Sequence, residues 1–414
     1  MSIRLRLTVM NFLQFFIWGS WLITIANYWF QTKGWSGAQF GAVFSTMGIA
    51  SLFMPALMGM LADRKVNAER LYGVLHIITA AMLAYLPAIK DPSMFFWGIL
   101  VAMLAYMPTL ALSNSIAYNV LKRADLDIVK AFPPIRVFGT IGFIAAMWIV
   151  NLTGNKSSPN QFYIAACAAV ILGIYAFTLP ACPPSEQGEG KKTFIQALGL
   201  DAFALLKNKQ LALFFLFSIF LGAALQLTNA YGDVFLDDFS KIPAFANSYV
   251  VKYSTIIMSI SQISETLFIL TIPFFLKHFG IKKVMLISMI AWVFRFGLFA
   301  YADPVGRFWM IILSCIIYGM AFDFFNISGS LYVENTVESK MRSSAQGLFM
   351  MATNGFGAVL GSSISGIVID RFFTYGGMKN WHGIWLSFAI YALVVAVLFM
   401  IFFKDVPKTK EATI

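Results

Sequence analysis

Five short segments place polar side chains at helical spacing inside long apolar runs. FPPIRVFGTIGF (132–143) carries Arg136, with Thr140 and Phe143 at i+4 and i+7. A cation, a hydroxyl and a ring therefore share one helix face. SQISETLFIL (261–270) carries Gln262 and Glu265 at i, i+3, and AFDFFNISGS (321–330) carries Asp323 and Asn326 at the same spacing, with Phe322 beside them. LQLTN (225–229) holds a further amide pair, Gln226 and Asn229, and TNGFG (353–357) holds Asn354. Recurrence of polar faces on five apolar segments favours a cavity lined by donors, acceptors and rings.

Each residue also has a plainer explanation. Arg136 lies about five residues into its apolar run, or about 7–8 Å, and an arginine so placed can snorkel to the membrane surface. Arg295 can neutralise Glu265 or Asp323. Each amide can serve as glue between helices. For the acids the functional explanation is stronger, because a carboxylate buried without a partner costs several kcal/mol. Trp18 and Trp21 are candidates to line the same cavity with Gln14. Gly357, Gly361 and Gly366 are read as close-approach points between helices.

Catalytic and metal chemistry find no support. The sequence contains no HExxH, no Cys/His cluster and no GxSxG elbow. The three cysteines, Cys167, Cys182 and Cys315, are scattered and read as small apolar packers. The three histidines, His76, His278 and His382, are each placed near a helix end. GEGKKT (188–193) lacks the spacing of a phosphate loop. The chain is therefore expected to be no enzyme, to need no cofactor and to bind no metal. An ion-driven secondary transporter fits, since no nucleotide-binding domain is present to drive transport by ATP.

The elements that must position these residues follow from composition. Of 414 residues 59% are hydrophobic and 12% charged, against about 45–50% and about 25% in soluble domains. Mean hydropathy is +0.76. Lipid must be the main solvent. Twelve apolar runs are long enough for membrane helices, near 7–30, 38–62, 70–89, 94–120, 131–151, 161–180, 211–236, 250–276, 282–301, 308–334, 343–370 and 383–403. None alternates as a membrane strand does. The basic start followed by an apolar run, with no cleavage-site pattern, reads as a retained first span.

Of the 30 Lys and Arg, 20 fall at the termini and the loops on the same side, seven in the opposite loops, and three (Arg136, Lys252, Arg295) within spans. That bias places both termini in the cytoplasm and accounts for the net charge of +11 without nucleic acid. The polar stretch at 181–210 splits the chain into an N-terminal six-helix bundle (1–180), a cytoplasmic linker and a C-terminal six-helix bundle (211–414). Part of the linker, LGLDAFALLKNKQ (198–210), has the pattern of an interfacial amphipathic helix. The loops GMLADRKVNAER (59–70) and LKHFGIKKVM (276–285) occupy matching places in the two halves, as expected of a parallel repeat. GMLADR fits the start of the loop signature of the major facilitator superfamily. Gly59, Asp63 and Arg64 there are candidates for a gating latch, or form a plain positive-inside loop. Val66, Asn67 and Ala68 depart from the usual basic tail of that signature.

FLQFFIWGSWL (12–22), FMPALMG (53–59), AYMPTLAL (105–112), FPPIRVFGTIGF (132–143), LGLDAFALLKNK (198–209), IIMSISQISETLFILTIPFFL (256–276) and AFDFFNISGS (321–330) resemble the bacterial nucleoside:H⁺ symporter family. The resemblance runs from the first span to about the eleventh. It implies an all-α membrane protein of the major facilitator fold, with 12 transmembrane helices in two six-helix bundles. It implies uptake of purine and pyrimidine nucleosides, such as uridine and adenosine, by proton symport across the bacterial inner membrane. By the same resemblance Arg136, Thr140, Phe143, Gln226, Asn229, Gln262, Glu265, Phe322, Asp323 and Asn354 are the substrate-binding positions. Ala224 and Leu225 precede Gln226 where the family tends to carry an acid. A nucleoside is neutral, so buried acids are not needed to balance its charge. That makes Asp323 and Glu265 the candidates for the coupled proton. Partners are then the nucleoside, H⁺ and lipid, with the protein a monomer. The alternatives are a proton symporter for another polar solute such as a sugar, or a nucleoside sensor that moves nothing.

Overall fold

The computed structural model describes residues 2–184, 200–338 and 341–404. GEGKKT and the tail beyond 404 lie outside the described residues. The N-terminal half contains α1 (Ile3–Gly19, continued by Ile25–Asn27 and the π-helical turn Tyr28–Thr32), α2 (Gly37–Arg64), α3 (Ala68–Tyr85), α4 (Pro92–Arg123), α5 (Ile128–Leu152) and α6 (Asn160–Ala176). The C-terminal half begins with α7 (Lys209–Asp237) and α8 (Ser254–Ile269, continued over 272–279). Next come α9 (281–301) and α10 (Phe308–Thr336). α11 comprises Arg342–Met350, the π-helical turn Met351–Gly357 and Ala358–Phe373, and α12 is Trp381–Phe402. α8 and α9 are separated by Gly280, whose φ of 75° and ψ of 169° no helix tolerates. All twelve expected spans are therefore present as helices among the described residues, with their order unchanged.

Local chemistry sets the helix starts. The Ser36 hydroxyl accepts from the Gln39 amide at 3.3 Å, and Asp91 accepts from the Met94 amide at 2.9 Å with Pro92 at the first helical position. Both satisfy amides that a helix start leaves unpaired. Pro55 and Pro108 sit inside α2 and α4, each removing one backbone hydrogen bond. Two departures from expectation follow from turn chemistry. Thr374–Tyr375 pairs with Met378–Lys379 as a small antiparallel ribbon, turned by Gly376 and Gly377 at φ 57° and 79°, as a Gly-Gly hairpin demands. The described part of the linker forms a 3₁₀ helix (Leu200–Lys207) against α7 and α11 rather than a free amphipathic helix.

The internal repeat is visible in which helices touch. α1 packs on α5 in the first half, and α7 packs on α11 in the second. Across the halves, α2 packs on α11 and α8 on α5. Each of these contacts has its counterpart six helices later.

Glycine makes the tightest of these seams. A Cβ on Gly41 would strike the Ser362 carbonyl, and one on Gly366 would strike the Gly37 carbonyl, so α2 and α11 meet backbone to backbone. Gly361 meets Ala223 of α7 in the same manner, and the three α11 glycines act as close-approach points as their sequence setting suggests. Gly59 does not: its missing Cβ faces open space in this conformation. The outward surface is apolar, with Trp97, Leu152, Ile174, Leu270 and Phe294 all exposed, as lipid contact requires.

The seam yields a contrast that can be measured. Gly41→Val overpacks it at a cost of about 1–3 kcal/mol and is expected to lower the melting temperature of the detergent-purified protein. Gly59→Val is expected to leave it unchanged. Equal melting of both variants would contradict this packing.

Candidate functional site

The two halves close on each other at one end only. That end, the far end, lies opposite Ile3 and Phe402. There α1 and α7 are joined by Asn27, whose amide donates to Asp233 at 2.6 Å, and by Gln31, which donates to Asp237 at 2.5 Å. Lys156, after α5, reaches Asp237 at 2.5 Å, the Val251 carbonyl at 2.7 Å and Ser254 at 2.9 Å. Asp370 at the end of α11 accepts from the Gly37 and Ala38 amides at 2.8 and 2.7 Å, capping the positive end of α2. Asn151 of α5 donates to the Lys252 carbonyl and accepts from the Thr255 amide, and Trp148 donates to Ser259. The Lys379 ammonium stands 3.6 Å over the Phe30 ring, and burial pushes it below its ordinary pKa.

This latch is absent from the sequence-derived set, although one signal was available. Asp233 lies within the apolar run of α7, and the same rule that singles out Glu265 and Asp323 applies to it. Lys252 is also repositioned: it precedes α8 and is exposed on the far-end surface, because the helix proper starts only at Ser254. The far-end basic count thereby rises to eight.

Below the latch lie the candidate binding residues. Arg136 is eight residues into α5, about 12 Å from its start, because the helix begins at Ile128. It is deeper than its sequence position indicates. Its guanidinium stacks over Phe15 of α1 at 4.1 Å, a cation–π contact. Gly139 makes room for both: a Cβ there would lie 2.7 Å from the Arg136 Nη1 and from the Phe15 ring. Phe15 and Gly139 are additions that spacing alone does not reveal. Thr140 is half-buried one turn on, and Phe143 is buried, with Trp18 edge-on to its ring at 6.4 Å. The Trp18 indole N–H has no partner among the described residues.

The other two residues grouped with Trp18 are placed differently. Gln14 is wholly buried in a knot inside the first half: it donates to Thr109 at 2.9 Å and accepts from Tyr72 at 2.6 Å, with His76 at 3.0 Å. Trp21 is buried against Phe162. His76 is in the middle of α3 rather than near its end.

Across the cleft, α8 presents half-buried Gln262 and Glu265, and α10 presents half-buried Phe322 and buried Asp323. α5, which carries Arg136, packs across the seam between the halves on α8, which carries Glu265, and α8 packs on α10, which carries Asp323. Among the described residues no carboxylate comes within ion-pair distance of Arg136. Gln226 of α7 is buried and Asn229 half-buried. The Gln226 Oε1, Gln262 Oε1 and Asp323 Oδ2 atoms are buried without a protein partner. Three orphaned acceptors around one cleft are costly unless something donates to them. Phe322, Asn326 and Asn354 line one recess with Trp292 and Leu225. Asn326 lines this recess, whereas Asp323, three residues earlier on α10, is not among its lining residues.

Arg295 does not neutralise either acid. It is fully buried and is held by Thr228, Ser261 and the Ser314 carbonyl. At the terminal end, Asp63 and Arg64 are exposed, and contacts between the halves concentrate at the far end. The cleft thus opens toward the termini.

The nucleoside H⁺ symporter family model matches residues 1–408. The chain is 54% identical to xanthosine permease of Escherichia coli over 98% of its length and 96% of that protein's. It is 51% identical to nucleoside permease NupG of E. coli with the same coverage. A crystal structure of nucleoside transporter NupG superimposes with a TM-score of 0.93 at 51% identity, covering 98% of this chain and 100% of the other.

Loss of the latch has a direct readout. In a Cys167→Ser background, Ala230→Cys places a thiol at a buried position of α7. Lys156→Met, which leaves Asp237 and two further acceptors without their cation, is expected to speed its labelling by a thiol reagent several-fold. An unchanged rate would show that Lys156 does not hold the far end shut.

Proposed function

The chain belongs to the nucleoside H⁺ symporter family, and from that premise we propose that it imports nucleosides with protons across the bacterial inner membrane by alternating access. It is a multi-pass transporter of the major facilitator fold and not an enzyme. The observation that carries the mechanism is the set of orphaned acceptors on α7, α8 and α10 facing Arg136 and Phe143 on α5.

A nucleoside offers what these groups lack. Its ribose hydroxyls donate to carboxylates, and its base edge matches side-chain amides. Gln226, Asn229, Gln262 and Asn354 read the base edge in more than one orientation, which suits both purines and pyrimidines. Phe143 and Phe322 offer faces for stacking on the base. Arg136, steadied by Phe15, and Thr140 donate to sugar or base oxygens. The cargo is neutral, so Asp323 and Glu265 are free to carry the coupled proton. A proton on either acid removes a buried charge and lowers the cost of moving the loaded site past hydrocarbon.

With the termini cytoplasmic, as the basic-loop bias implies, the open end faces the cytoplasm and the latch seals the periplasmic end. Gly59, Asp63 and Arg64 then stand where the cytoplasmic end must close in the alternate state. The chain divides as 1–180, the linker 181–210 and 211–414. It works as a monomer, because one chain supplies both walls of the cleft.

The deciding measurement is flux of labelled nucleosides into proteoliposomes with and without a proton ionophore. Uptake of uridine and adenosine that collapses with the ionophore is expected, as is competition by nucleosides but not by sugars. Asp323→Asn or Glu265→Gln is expected to uncouple uridine uptake from proton uptake. Full coupling in both variants would refute the assignment of the proton. Arg136→Ala is expected to weaken uridine binding by about tenfold or more, since a hydrogen bond to a charged group is worth about 1.5–3 kcal/mol. Equal affinity would return Arg136 to the role of a snorkelling cation.

A further inference from the structure

Arg295 of α9 is the most costly side chain in the C-terminal half that the proposed mechanism leaves unused. It is fully buried, and among the described residues no carboxylate comes within ion-pair distance of it. A cation so placed would ordinarily be excluded from a membrane interior. What holds it is a set of neutral partners drawn from three other helices. Its Nε and Nη2 donate to the Thr228 Oγ1 of α7 at 3.0 and 2.6 Å. Its Nη1 donates to the Ser314 carbonyl of α10 at 2.7 Å and to the Ser261 Oγ of α8 at 3.4 Å. The Ser314 hydroxyl donates back to the Arg295 carbonyl at 2.9 Å.

Those three helices carry every candidate binding residue of the C-terminal wall except Asn354 of α11, and the contacts fall beside them. Thr228 lies between Gln226 and Asn229, and Ser261 precedes Gln262. On α10 the link runs through rings. The guanidinium stands 4.6 Å over Tyr318, and Tyr318 stacks on Phe322 at 6.1 Å and 13°. Phe322 is followed in the chain by Asp323. The planar fork offers five donors in fixed directions, which a lysine ammonium does not.

We propose that Arg295 is a positioning residue for the transported solute: its fork sets the mutual register of α7, α8 and α10, and so fixes the amide pairs and the Phe322 ring at the spacing one nucleoside requires. It touches the solute nowhere and acts through Thr228, Ser261 and the Tyr318–Phe322 stack. The inference rests on the nucleoside reading for its solute, though the geometric claim stands on the contacts alone.

The test uses the full chain in proteoliposomes. Arg295→Lys keeps the cation and loses the fork. Thr228→Val keeps Arg295 and removes one acceptor. In both, the KM for labelled uridine is expected to rise by about tenfold, with the maximal rate within about twofold, because small misplacement costs binding steeply. A merely structural residue would lower yield and melting temperature and leave the KM untouched. A second arm needs no solute: with Cys167→Ser, the labelling rates of Asn229→Cys and Gln262→Cys are compared with and without Arg295→Lys. Shifts of several-fold are expected. Wild-type KM in folded Arg295→Lys and Thr228→Val together with unchanged labelling rates would overturn the proposal. If the parent protein moves no uridine, the functional reading fails by itself, and the labelling arm still decides the role of Arg295.

Discussion

A polar group inside a bilayer has no water to fall back on, so every one must be satisfied by the protein or by what the protein carries. The organisation of this molecule follows from how it meets that constraint. Gln14, Tyr72, Tyr106 and Thr109 bond to one another in the N-terminal half, and His76 joins them through its Nε2. Arg295 is satisfied by hydroxyls, a carbonyl and rings in the other. The far-end acids are gripped by amides and a lysine across the halves. At the cleft three buried acceptors, Gln226 Oε1, Gln262 Oε1 and Asp323 Oδ2, have no protein partner, and a bound solute can satisfy them.

This separation also orders the two kinds of polar contact in function. The knots around Gln14 and Arg295 lie within one half and need not break when the halves rock. The Asn27–Asp233, Gln31–Asp237 and Lys156–Asp237 contacts join the halves and must break for the far end to open. Rigid bodies with internal polar staples, joined by polar contacts that exchange, are what alternating access requires.

Much of this was legible in the residues. The twelve helices follow from apolar run length, and the mid-membrane level of Glu265 and Asp323 follows from their distance to the run ends. Arg136 was legible as a charge out of place, though its depth was not, since Ile128, Val129 and Lys130 extend the helix beyond the apolar run. What stayed hidden is partnership. Nothing in the spacing of Gln14 distinguishes a side chain spent on Tyr72 from one facing the cleft, and nothing near Arg295 announces Thr228, 67 positions away. The far-end latch is hidden for the same reason: its members come from α1, α2, α5, α7, α8, α11 and the loops beside them, and only the closed seam brings them together.

The glycine seam between α2 and α11 has an evolutionary consequence. Where backbones touch at Gly37, Gly41 and Gly366, no side chain exists whose alteration could retune the fit by small steps. Any larger residue is a collision. Variation that shifts the balance between open and closed forms in small steps is easier at the polar latch, whose amides and acids can be exchanged one at a time. The seam is a fixed bearing, and the latch is the part on which selection can act gradually.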